Sequence, residues 1–230
     1  MDLSVVIPMF NEAENVEATF SRIRETLASF DGTYEIIAVN DGSLDHTLEV
    51  LDRLAKQDQK LRIVSYSKNI GRGMALRKGF KKSNGEIIVS IDSDLSYSPH
   101  YILDFLETLK REPEIDFVLA SPYMPGGGVQ NVPVFRLSVS KWGNKILRLA
   151  MPNRIYTSTG IFRAYRRKVL DSVELESDGK EIHLEILSKA IALGYRAKEI
   201  PAILTGRKKG RSKFKFRKTA ISHLVFSLLC

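Results

Sequence analysis

Cysteine is almost missing: the 230 residues contain one, and it is the last, Cys230. So few thiols exclude an internal disulfide and a cysteine-built metal site, and a reducing compartment, the cytoplasm, is the expected setting. Long apolar runs are missing as well. No uncharged stretch reaches the roughly 18 to 20 residues that cross a bilayer. The closing AISHLVFSLLC is eleven residues long and at most begins a span or lies in an interface. The opening MDLSVVIP carries an acid at position 2 and no basic region ahead of its short apolar run, so it does not read as a secretory leader.

Acids are absent from one segment. Residues 207 to 218, RKKGRSKFKFRK, hold eight bases and no Asp or Glu, and the remaining 27 of the 35 Lys and Arg equal the 27 acids. The whole surplus of +8 therefore sits near the C-terminus. A general nucleic-acid packer coats itself in positive charge, and this chain does not; no nucleic-acid partner is expected. At 43% hydrophobic and 27% charged the rest has the composition of a folded globular chain.

Short β-branched runs alternate with segments of helical period. Strands are expected at 3–8, 35–40, 61–66, 86–91 and 116–120. Helices follow from near Asn11, with Asn11 as N-cap and Glu14 three residues on, then through 47–54, 71–82 and 102–109. Almost continuously apolar strands in repeated β-α units predict a parallel sheet covered by helices on both faces. Beyond 120 the rhythm changes: a glycine-rich loop at 124–128, a helix at 135–149, a strand over 157–165, a helix at 182–193 stopped by Gly194, and a last strand at 195–201. The expected organisation is a catalytic α/β domain over 1–206, its halves meeting near 120, followed by a basic amphipathic segment over 207–230.

In parallel α/β sheets ligands bind outside the carboxyl ends of the strands. Three polar clusters fall there: Phe10-Asn11-Glu12, Asn40-Asp41-Gly42-Ser43 and Asp92-Ser93-Asp94. Two carboxylates at i and i+2 on a loop can face one hard divalent cation whose other positions go to water and phosphate oxygens. That pattern suits a nucleotide diphosphate leaving group. A lone Asp-X-Asp is also an ordinary helix cap, and it is the ordered conjunction of three clusters at one sheet edge that favours the metal. Gly71-Arg72-Gly73 superficially opens a dinucleotide fingerprint, but its third small position is Leu76, and glycines that let a helix and loop pack closely explain it better.

Taken in order, VVIPMFNEAENV, AVNDGSLDHT, KNIGRGMALRKGF, GEIIVSIDSDLSYSP, SPYMPGGGVQN, TGIFRAYRRKVL and RKKGRSK resemble the family 2 glycosyltransferases of the GT-A fold. The branch they resemble is that of the dolichol-phosphate mannose synthases and polyprenyl-phosphate glucosyltransferases. The resemblance implies a Rossmann-like, mostly parallel sheet flanked by helices. It places Pro8, Phe10, Asn11, Glu12, Asn40 and Asp41 around the nucleotide and Asp92 and Asp94 on Mg²⁺ or Mn²⁺. It also places Arg136, Arg207, Ser212 and Lys213 on phosphate groups. Phe10 stands where the family usually has tyrosine, Asn40 where an aspartate is common, Ser96 where glutamine is usual, Pro122 where arginine is common and Tyr156 near a frequent aspartate.

The activity so implied is inverting transfer of mannose or glucose from GDP-mannose or UDP-glucose to dolichyl or polyprenyl phosphate. A monophosphate with its second pKa at about 6 is largely ionised at neutral pH and needs cations rather than a strong base. A saccharide hydroxyl acceptor is the alternative, with Glu181 or Glu185 as base. Lys208, Lys209, Arg211, Lys215, Arg217 and Lys218 suit anionic headgroups, and Phe214, Ile221, Leu224, Val225 and Leu228 share roughly one helical face. A peripheral position on the cytoplasmic face of a membrane is expected, with a separate transmembrane subunit as a candidate partner.

Overall fold

A computed structural model describes residues 1–132 and 155–206. The helix expected at 135–149, together with Arg136, and the segment 207–230 with Arg207, Ser212 and Lys213 lie outside the described residues.

The described chain runs β1 (Leu3–Met9), α1 (Ala13–Leu27), β2 (Tyr34–Asp41), α2 (Thr47–Gln57), β3 (Leu61–Tyr66), α3 (Arg72–Lys82), β4 (Ile87–Ser90), α4 (Tyr101–Arg111) and β5 (Phe117–Ser121). After these come β6 (Gly128–Gln130), β7 (Arg163–Arg166), α5 (Arg167–Ser172), α6 (Ile182–Ala192), β8 (Ala197–Pro201) and β9 (Ile203–Thr205). Seven strands form one sheet in the order β3-β2-β1-β4-β7-β5-β8, and β6 pairs with β9 apart from it. All pairings of the large sheet are parallel except those of β7, which runs against both β4 and β5.

The inner strands β1, β2, β4 and β5 are largely apolar because both of their faces are covered. Leu3, Val5, Ile7 and Met9 pack on one side with Val16, Phe20, Ile23 and Leu27 of α1, Leu51 of α2 and Phe105 of α4. The alternate residues Val6, Ile37, Val39 and Ile88 face the other way, onto Leu76 and Phe80 of α3, Val169 of α5 and Ile186 of α6. Each large aliphatic or aromatic side chain so buried contributes about 1.5 to 3 kcal/mol. Pro8 is tolerated in a central strand because the β1/β4 ladder ends at Val6↔Ser90, so the side to which its nitrogen points has no ladder left to serve.

Two expectations need correction. Asn11 does not cap α1: the helix begins after Glu12, and Asn11 has a left-handed φ of 52°. Its polar atoms bind the next loop instead. The strand expected over 157–165 is only Arg163–Arg166, because residues 155–162 turn along the sheet edge before the chain reverses. Gly194 does end its helix, at φ 86°, with Tyr195 N–H donating to Ala190 O at 3.0 Å and Gly194 N–H to Ile191 O at 2.9 Å.

Candidate active site

The carboxyl ends of β1, β2 and β4 bring the three polar clusters to one edge. The first two loops are clasped together. Asn11 N–H donates to Ser43 Oγ at 2.9 Å, Leu44 N–H donates to Asn11 Oδ1 at 2.7 Å, and Glu12 N–H donates to Thr47 Oγ1 at 2.8 Å. The left-handed turn at Asn11 aims these groups sideways, a conformation that asparagine tolerates better than most residues. Glu12 is buried and accepts from Asn15 Nδ2 at 2.7 Å. Phe10, half-buried, follows directly on β1.

Asn40 and Asp41 are both buried. Asn40 ties β2 to β3 and to its own following loop, donating to Ser65 Oγ at 2.9 Å and accepting from Ser43 N–H at 3.1 Å. The Asp41 carboxylate accepts from Asn69 Nδ2 at 2.7 Å, Ile70 N–H at 2.9 Å and Gly71 N–H at 3.0 Å. Gly42 lets that loop close, since a Cβ there would lie 2.5 Å from Asn69 N, and its φ of 64° also favours glycine.

Residues 92–94 follow β4. Thr19 Oγ1 of α1 donates to Ser93 O at 2.6 Å, which fixes the loop between the two acids. Asp94 Oδ1 accepts from Ser96 N–H at 3.0 Å and from the Ser96 hydroxyl. Arg72 Nη2 lies 2.8 Å from Asp92 Oδ1. Both side chains stay partly exposed, at 31% and 23%. Two hard oxygen donors two residues apart, one already carrying a cationic side chain, fit Mg²⁺ or Mn²⁺ in donor chemistry. Among the described residues no group of three His, Cys, Asp or Glu forms a cage. A cation on Asp92 and Asp94 would thus draw further ligands from a diphosphate and water.

Residues 155–162 border the same edge on the β5 side. Glu199 on β8 accepts Tyr156 N–H and Thr157 N–H, both at 2.8 Å, and Ser121 and Thr157 share a hydroxyl hydrogen bond of 2.7 Å. Beneath them Arg163 is wholly buried and donates to Gly160 O at 2.7 Å, Ser158 O at 2.6 Å and His183 O at 2.7 Å. Arg72, Arg163 and Glu199 do not emerge from the sequence reasoning. The partners of Arg72 and Glu199 lie in other units, and Arg163 binds backbone carbonyls, which no side-chain spacing marks.

The segment 174–181, between α5 and α6, packs against the start of α3. Gly73 N–H donates to Asp178 O at 2.7 Å, and a Cβ on Gly73 would lie 2.2 Å from Ser177 O. The glycines of Gly71-Arg72-Gly73 are therefore packing devices. Glu185 anchors this segment, accepting Glu176 N–H and Ser177 N–H, both at 2.9 Å, and pairing with Lys189 at 2.8 Å. Burial pushes the Glu185 carboxyl up, but the bonds from Lys189, Ser177 and Glu176 outweigh it and hold it below the ordinary glutamate range.

Comparison with known proteins gives this arrangement a family. Residues 4–173 match Glycosyl transferase family 2, and the chain belongs to that family. It is 35% identical over 219 residues to a dolichol-phosphate mannosyltransferase of Pyrococcus furiosus, covering 94% of this chain and 60% of that protein. It is 31% identical over 216 residues to a polyprenol monophosphomannose synthase of Mycolicibacterium smegmatis, covering 91% of this chain and 79% of the relative. The chain thus spans less than two thirds of the length of the Pyrococcus protein. Among solved structures, glucosyl-3-phosphoglycerate synthase of Mycobacterium tuberculosis, in complex with Mn²⁺, UDP and phosphoglyceric acid, superposes with a TM-score of 0.72 at 24% identity. That match covers 99% of this chain and 77% of the other, and it establishes the GT-A-type fold.

Proposed function

We propose that this protein transfers a hexose, mannose or glucose, from GDP-mannose or UDP-glucose to a dolichyl or polyprenyl phosphate, with inversion and with Mg²⁺ or Mn²⁺. The carrying observation is the meeting of Asp41, Asp92 and Asp94 at the carboxyl edge of one sheet, in a chain whose relatives bear polyprenyl-phosphate mannosyltransferase names. Asn11, Glu12, Asn40 and Asp41, with Pro8 and Phe10 beside them, bound the nucleotide side. Asp92 and Asp94 hold the metal. When bound, that metal neutralises charge growing on the departing diphosphate.

The acceptor oxygen is already anionic, so this chain's task is positioning two anions in line with the anomeric carbon. Arg136, Arg207, Ser212 and Lys213 grip the phosphates in this reading, and an α-linked donor gives a β-linked lipid phosphate. The segment 207–230 rests on anionic headgroups at the cytoplasmic face of a membrane. Among the described residues no helix is long and apolar enough to cross one. A saccharide acceptor would need a base, and the two carboxylates suited to that role are otherwise engaged: Glu185 holds the 174–181 segment, and Glu181 accepts Gly179 N–H at 3.1 Å.

The deciding experiment incubates the protein with radiolabelled GDP-mannose, UDP-glucose and other nucleotide sugars, with polyprenyl phosphate or free saccharides as acceptor. EDTA-sensitive label in glycolipid supports the reading. Label only in saccharide overturns the lipid acceptor.

A further inference from the structure

Arg72 opens α3, the end of a helix where the macrodipole disfavours a cation, and the first turn contains no acid to offset it. Helix stability does not explain an arginine there. The backbone around it is held from two sides. Asp41 accepts Ile70 and Gly71 N–H, and Asp178 O accepts Gly73 N–H at 2.7 Å and Met74 N–H at 3.3 Å. Gly71 has φ 140° and a Cβ on it would lie 2.4 Å from Asp178 O, so the start of α3 is wedged against the 174–181 segment. A fixed backbone thus presents a long side chain whose ion pair, among the described residues, is with Asp92 at 2.8 Å.

We propose that Arg72 is a resident counter-cation of Asp92, displaced when metal and nucleotide diphosphate arrive together, and that this exchange makes the two bind cooperatively. The inference rests on the metal reading of Asp92 and Asp94. A guanidinium and a divalent ion on one carboxylate repel each other, so metal binding alone must break the pair without replacement. A diphosphate brought in with the metal offers the released guanidinium a planar, bidentate anionic partner. Metal then favours nucleotide and nucleotide favours metal by the same factor. The device keeps the acidic pair ordered without donor and discourages idle occupation by free cation.

The test titrates the full chain with Mn²⁺, reading free Mn²⁺ by electron paramagnetic resonance, first alone and then with GDP or with UDP. Wild type, Arg72→Gln, Arg72→Lys and Asp94→Asn are compared, with thermal melts showing that each is folded. Arg72→Gln should bind Mn²⁺ alone about fivefold more tightly than wild type, as expected for losing one partly exposed competing ion pair. The enhancement by nucleotide should shrink by a similar factor. Arg72→Lys keeps the charge, so its affinity for Mn²⁺ alone should stay near wild type, while losing the planar fork should reduce the enhancement by nucleotide. Unchanged or weaker Mn²⁺ affinity in Arg72→Gln overturns this proposal while leaving the metal site standing. No Mn²⁺ uptake by wild type, with or without nucleotide, overturns the metal reading and this proposal with it.

Discussion

Asp41 accepts the backbone N–H of Gly71 at 3.0 Å, one residue before the arginine that pairs with Asp92. Residues 69–72 therefore connect the carboxylate of the second strand to that of the fourth. Asp41→Asn replaces a carboxylate by a group with one acceptor oxygen and turns an NH₂ toward backbone donors. The variant should lose about 1 to 3 kcal/mol of stability in urea denaturation. Unchanged stability would show that these hydrogen bonds are not maintained in solution.

Asp94→Asn should abolish glycolipid formation with the melt nearly unchanged, because the introduced amide can still accept from Ser96 through its carbonyl oxygen. Turnover like that of wild type in this variant would remove Asp94 from the metal site.

Glu199 holds the 155–162 edge through two backbone donors. Glu199→Gln keeps one acceptor oxygen and should raise the KM for polyprenyl phosphate several-fold more than that for the nucleotide sugar. Steady-state kinetics with each substrate varied in turn reads this directly. Equal rises in both would mean a global loosening of the sheet.

Acid should act through Glu185. Its carboxyl titrates below 4.5 in the folded protein, so its stabilising contribution is complete above that ordinary value and is lost as pH falls through the folded pKa. As pH falls below about 4.5 and through the lower folded pKa, wild type should lose stability that Glu185→Gln, already less stable at neutral pH, does not lose. Hydrogen exchange at residues 176–178 should accelerate in the same window. Parallel stability curves for the two proteins would contradict this assignment.

Gly73→Ala should destabilise by about 1 to 3 kcal/mol, since the added methyl would meet Ser177 O at 2.2 Å and force the helix and the 174–181 segment apart. Chemical denaturation measures the loss. An alanine tolerated without cost would mean that the segment yields readily.

The β-α units up to residue 120 are legible because β1, β2, β4 and β5 bury both faces and the helices show their own period. The acidic pair is legible for a related reason: Asp92 and Asp94 fall directly after a recognisable strand. Beyond 120 the pattern weakens, since β7 has four residues and runs antiparallel, and the preceding turn 155–162 owes its shape to Glu199 and Arg163 rather than to its own sequence. The spacing from Asn11 to Glu14 imitates a capping box. Tertiary bonds to Ser43 and Leu44 override it. Arg72 is hidden for the same kind of reason, its partner being a carboxylate in another unit.

Arg163 is wholly buried, and its guanidinium donates to three backbone carbonyls. Its three carbonyl partners come from the 155–162 edge and from α6, so one side chain clamps these two parts of the chain together. Loosening this one guanidinium would therefore unfasten the 155–162 edge and α6 together.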